Sequence, residues 1–166
     1  MIRYGQHILL PCLEKLFNLI LFNGVYPKSW STGNLVTIFI NGSPVDPNNY
    51  RGITINSCLS KLFNSILNKR LVEFIDSKKL IEDEQIGFRK GSRTTDHIFK
   101  LKTLLCKYLQ KSGRLYACFV DLKKAFDSVL HPALLYKLQK YGINGNFLNV
   151  VQSMYSNSSL SVRVNE

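Results

Sequence analysis

The sequence predicts an α+β fold, and three observations lead there. Apolar residues recur at helical spacing in several separate stretches. Two short β-branched runs, Leu35–Ile40 and Tyr50–Ile55, flank a stretch dense in turn formers, Asn41–Asn49. Strands and helices do not alternate in a regular βαβ rhythm, so a mixed layer arrangement fits better than a parallel doubly wound sheet.

Each element has its own signal. Ile8, Leu9, Cys12, Leu13, Leu16, Phe17, Leu19 and Ile20 make an amphipathic stripe that ends before Gly24. Pro27 and Trp30 fall in a connector, and the two β-branched runs then form a long-looped hairpin. A second stripe comprises Leu59, Leu62, Phe63, Ile66, Leu67, Leu71, Phe74 and Ile75, with Ser57 placed to cap it. Ile81–Arg93 is polar and carries Gly87 and Gly91, so it reads as a loop. Thr94, Thr95 or Asp96 caps the next helix. Its buried face would be Ile98, Leu101, Leu104, Leu105, Tyr108 and Leu109, and Gly113 stops it. Leu115–Val120 predicts a strand with Asp121 at its end, at a sheet rim open to ligands. Leu134–Tyr141 is helical up to Gly142, and Phe147, Leu148, Val151, Met154 and Tyr155 mark a further helix. Leu160–Val164 starts a strand with no partner in the remaining chain, an edge open to aggregation.

Composition bounds what such a fold does. The chain has 166 residues, 45% of them hydrophobic, enough for one domain with a core and not for two. Lys and Arg number 22 against 11 Asp and Glu, a formal charge of +11. That surplus favours a polyanionic partner, although ordinary solvated helix faces give the same count. Cys12, Cys58, Cys106 and Cys118 form no CxxC pair, and His7, His97 and His131 are equally dispersed, so zinc-ligand spacing is absent. Cys58 and Cys118 sit in apolar runs and read as reduced core residues. No transmembrane helix or signal peptide is visible, which makes an intracellular location, nucleus or cytoplasm and not secreted, the expectation.

The chemistry concentrates at FVDLKKAFDSV, where Asp121 and Asp127 stand six residues apart. Phosphoryl-transfer sites use carboxylates to hold divalent ions, but a lone aspartate after a strand is more often a cap or surface residue. The whole string is more specific. It resembles the first catalytic motif of non-long-terminal-repeat, LINE-type retrotransposon reverse transcriptases. DPNNYRGITINSCLSKLFNSILNKRL and EDEQIGFRKGSRTTDHIFKL resemble two further blocks of that family, in order and spacing, and PKSWSTGNLVTIFI resembles its first finger strand.

The resemblance implies a partial right-hand polymerase fold, fingers plus an incomplete palm. Residues 1–166 would be a partial reverse transcriptase domain, about 1–114 fingers-like and about 115–166 the truncated start of the palm. Asp121 would be a catalytic, metal-binding aspartate, with the Leu122 carbonyl shaping the metal site. Phe126 would lie beneath the incoming sugar, Arg51 would meet the triphosphate, and Asp127 would be structural. Arg89, Lys90 and Arg93 would contact nucleic-acid phosphates, and Gly87 and Gly91 would let the backbone approach a strand. Gly52 stands where the family usually has proline. Ile40-Asn41-Gly42 stands where it commonly has Lys-Lys-Gly, so a triphosphate-facing lysine is absent.

The complete family enzyme uses Mg2+ or Mn2+ and a deoxynucleoside triphosphate, with an RNA template and a DNA primer as partners. It continues into a paired-aspartate hairpin, further palm and a thumb, and no Asp-Asp pair occurs in this chain. The expectation is therefore a polymerase fragment, inactive alone, holding no cofactor strongly and binding nucleic acid weakly and without sequence preference. The alternatives are a non-catalytic basic nucleic-acid-binding module and a decayed transposon remnant.

Overall fold

The computed structural model describes residues 5–110, 113–122 and 124–162. These form a mixed α/β structure with a small three-stranded sheet, divided into two compact units. One unit joins the chain up to Val72 with the chain from Val129 onward, and the other is Glu73–Ser128.

In the first unit, helix α1 spans Gln6–Asn23 and ends on Gly24 in the left-handed conformation, φ 69°. Gly24 supplies the backbone freedom for this stop, and its N–H donates to the Ile20 carbonyl. A single turn, α2 (Lys28–Ser31), buries Trp30. Strands β1 (Thr32–Phe39) and β2 (Tyr50–Ile55) pair antiparallel, with Leu35 opposite Thr54 and Ile38 opposite Arg51. Their connection is held by its own side chains. The Asp46 carboxylate accepts from the Asn48 backbone at 2.9 Å, and the Tyr50 hydroxyl donates to the Pro44 carbonyl at 2.8 Å.

Helix α3 (Cys58–Ser77) starts where Ser57 predicts: the Ser57 hydroxyl accepts from the Ser60 backbone N–H at 3.1 Å. After the second unit come α5 (His131–Lys140) and α6 (Gly145–Ser156). Strand β3 (Ser159–Val162) then returns to pair parallel with β1, Thr32 facing Ser159 and Leu35 facing Val162. The sheet order is β2-β1-β3. This corrects the expectation of an unpaired final strand. Its partner lies more than a hundred residues upstream, beyond the reach of any local pattern, and residues 163 and 164 of the predicted strand lie outside the described residues.

The core of this unit is aromatic. Phe17, Ile20, Tyr26, Trp30, Phe63, Leu67 and Val150 form one buried cluster. The Phe63 ring lies 5.2 Å from Phe17, 5.9 Å from Trp30 and 6.0 Å from Tyr26, tilted against each. Tyr26 also carries the buried polar contact. Its hydroxyl donates to Asn64 Oδ1 at 3.1 Å, so the fully buried Ser60 hydroxyl, 3.0 Å away, must donate to Tyr26.

In the second unit, helix α4 spans Thr94–Leu109. Its N-cap position is Arg93 rather than Thr94, Thr95 or Asp96. Asp96 sits at the third helical position, and its carboxylate accepts from the Arg93 backbone N–H at 2.7 Å. Two further expectations are corrected here. Leu115–Val120 is not a strand, because a strand exists only by pairing and no described strand runs alongside it. The face of α4 expected to be buried is largely open, with Ile98 65% and Leu109 62% exposed, because no described element covers it. Cys58 and Cys118 are likewise exposed rather than in the core, as are Cys12 and Cys106. An apolar neighbourhood in sequence buries a side chain only when another element packs over it.

Candidate functional site

Two places carry the predicted site residues, one in each unit. In the first, the β1–β2 hairpin fixes Arg51. Antiparallel pairing puts Arg51 and Ile38 side by side on one face of the ribbon, and both are exposed. The opposite face explains the glycine that follows. A Cβ on Gly52 would come within 2.9 Å of Leu35 Cδ1 across the ladder, so a bare backbone lets Leu35 lie flat there. The turn beyond, 41–49, carries no Lys or Arg. The Ile40 N–H donates to the Asn49 carbonyl at 2.8 Å, and Gly42 adopts φ 89°. Arg51 is thus the cation nearest in sequence to the hairpin tip.

In the second unit, Asp121 and Leu122 are exposed and lie on irregular backbone, not at the end of a strand. Residues 124–128 form a turn in which the Ser128 N–H donates to the Lys124 carbonyl at 3.0 Å. This turn carries Phe126 and Asp127 on its surface, with Phe126 79% exposed. Lys111 and Lys123 lie outside the described residues.

The Gly87–Gly91 loop belongs to the same unit. Gly91 takes φ 85°, where glycine is favoured, and a Cβ there would meet nothing within 4 Å. Gly87 has no positive φ. The left-handed conformation falls instead on Phe88, φ 61°. The Phe88 ring stands edge-on to Phe126, centroids 6.0 Å apart at 81°. Lys90 and Arg93 are exposed. Arg89 is turned inward by comparison, its side chain 30% exposed. Its guanidinium reaches Asp76 Oδ1 at 3.4 Å and Asp83 Oδ1 at 3.8 Å, and donates to the Glu82 carbonyl at 3.4 Å.

Sequence reading alone missed Asp76 and Asp83 as partners of Arg89, and Phe88 as the ring neighbour of Phe126. The acidic run Glu82-Asp83-Glu84 just before the glycine loop was the available signal. A divalent metal needs several oxygen ligands held together. Asp121 supplies one carboxylate, and among the described residues no group of three His, Cys, Asp or Glu side chains is gathered to hold an ion. The described residues therefore do not fit a complete metal centre. Among them, no helix is long and apolar enough to cross a membrane.

Comparison with known proteins connects the two places. The family described as reverse transcriptase (RNA-dependent DNA polymerase) matches residues 41–166, a stretch that includes both Arg51 and Asp121. A probable RNA-directed DNA polymerase from transposon BS of Drosophila melanogaster is 29% identical over 153 residues, 92% of this chain and 17% of that protein. The RNA-directed DNA polymerase from mobile element jockey of the same fly is 30% identical over 129 residues, 77% of this chain and 14% of that protein. A retrovirus-related Pol polyprotein from type-1 retrotransposable element R2 of Nasonia vitripennis is 28% identical over 153 residues, 92% of this chain and 14% of that protein. The chain thus spans less than a fifth of the length of these three relatives.

Proposed function

Because the chain belongs to the reverse transcriptase (RNA-dependent DNA polymerase) family, with retrotransposon polymerases among its relatives, we propose that it forms the nucleotide- and template-facing part of such a polymerase. The observation that carries this reading is the single family match running unbroken from the hairpin tip through Asp121. In a complete enzyme the reaction would add deoxynucleotides to a primer 3′ end on an RNA template, inside the cell where such templates are. Fingers would occupy about 1–114, and the palm would begin at about 115.

Each residue then has a role that its position supports. Arg51, exposed on β2, presents paired N–H donors to triphosphate oxygens. Phe126, an exposed ring on a turn, packs under the sugar and disfavours a 2′-hydroxyl by contact. Lys90 and Arg93, exposed beside Gly91, meet phosphates of the template or primer and position the strand without reading it. Gly87 and Gly91 give the backbone close approach, and Asp127, exposed on the turn at 124–128, would be structural. Asp121, with the Leu122 carbonyl beside it, would supply one carboxylate to a metal centre that needs others.

By themselves these 166 residues should bind nucleic acid without extending a primer. A primer-extension assay with magnesium, an RNA template and a DNA primer tests this. The expected result is no extension above background by the purified chain. Robust synthesis that disappears in Asp121→Asn would overturn it, because one carboxylate would then have sufficed.

A further inference from the structure

Arg89 stands in the basic run that faces nucleic acid in the proposed function, yet its surroundings differ from those of Lys90 and Arg93. Three oxygens already engage it: carboxylates of Asp76 and Asp83, and the Glu82 carbonyl. They come from two places, the last turn of α3 and the acidic run before the glycine loop. The guanidinium lines a polar hollow of about 330 Å³ together with Ile75, Lys79 and Ile81. Its planar fork of donors suits several oxygens at once, as an ammonium would not.

The residue before it is under backbone constraint. Phe88 is a bulky side chain in the left-handed region, a conformation that persists only where neighbouring structure enforces it. Its neighbours are the Arg89 cluster on one side and, on the other, the ring of Phe126, 6.0 Å away, both rings being largely exposed. Gly87, which would take that conformation at less cost, does not.

We propose that Arg89 is a positioning residue: its clamp on Asp76 and Asp83 holds the glycine loop so that Phe88 abuts Phe126 in the turn at 124–128. Phosphate contact is left to Lys90 and Arg93. The inference goes beyond the proposed function, since the Arg89 contacts are made with no nucleic acid bound. It also ties two segments that no sequence motif links, the loop at 82–91 and the turn at 124–128.

The test uses the full 166-residue chain and two readouts. The first is amide hydrogen exchange over residues 82–91, with the α1 and α6 amides reporting overall folding. Arg89→Asp and Asp76→Arg, made singly, should each raise loop exchange by about two- to fivefold, the range for a partly exposed ion pair. The double reversal should restore protection, which a merely structural role for either residue would not predict. Arg89→Lys should restore it only in part. The second readout is the salt dependence of binding to an RNA–DNA primer–template. Arg93→Gln should lower the slope of log K against log salt by about one, and Arg89→Gln should leave it unchanged. Unaltered exchange in the single variants, or a double reversal no better than the singles, overturns the clamp. So does a slope lowered by about one in Arg89→Gln. If the chain binds no primer–template at all, the proposed function fails and the exchange readout alone decides the clamp. If a reversal variant loses α1 and α6 protection, Asp76→Asn and Asp83→Asn replace it; each should raise loop exchange, and unaltered exchange in both overturns the clamp.

Discussion

At the scale of single residues, the hairpin tip and the buried hydroxyl network make the sharpest predictions. The tip lacks the lysine that the family resemblance leads one to expect, and Arg51 is left as its nearby cation in sequence. Asn41→Lys should therefore strengthen binding of a deoxynucleoside triphosphate. A charge-assisted hydrogen bond of about 1.5 kcal/mol corresponds to roughly tenfold, and titration calorimetry reads it. An unchanged affinity would place the triphosphate away from this hairpin. Tyr26→Phe should cost about 1–3 kcal/mol in urea denaturation, because Ser60 is wholly buried and would lose its acceptor. A loss below about 0.5 kcal/mol would mean that water reaches Ser60. Such residue-scale detail was only partly legible in the sequence. Arg51, Asp121 and Phe126 stand out by motif. The engagement of Arg89 does not, because Asp76 lies 13 residues away on the end of a helix and only the fold brings it close.

At the scale of elements, the outcome depended on whether a partner was local. Helix α3 and strand β2 could be read almost to their ends, since capping, apolar stripe and β-branched run are all properties of contiguous sequence. Strand β3 and the 115–120 stretch could not. A strand is decided by what lies beside it, and the parallel partner of β3 is β1, at the far end of the chain. The same sheet yields a prediction. A Cβ on Gly33 would run into the Thr54 methyl and come within 2.7 Å of Asn56 Oδ1. Gly33→Ala should therefore destabilise the sheet by about 1–3 kcal/mol, the usual cost of overpacking, seen as a lower thermal midpoint. An unchanged midpoint would mean that β1 and β2 separate at that position without penalty.

At the scale of the whole molecule, the two units differ in how they are held. The first has an aromatic core centred on Phe63. Every buried hydrophobic residue among those described lies in this unit, and none lies in Glu73–Ser128. Phe63→Ala should cost about 3–5 kcal/mol and abolish cooperative unfolding of the first unit, while Phe126→Ala should shift stability by less than about 0.5 kcal/mol. The second unit instead presents charge and exposed rings, which suits a surface that meets a strand. Composition made a polyanion partner an expectation from the start, but it could not separate a binding face from solvated helices. The geometry around Gly91 and Phe126 gives that separation a testable form. The most direct measurement is equilibrium binding of an RNA–DNA primer–template to the chain by fluorescence anisotropy, across a salt series. Binding should weaken linearly in log–log form, with a smaller slope when Lys90 or Arg93 is replaced by glutamine. Absence of saturable binding even at low salt would contradict it.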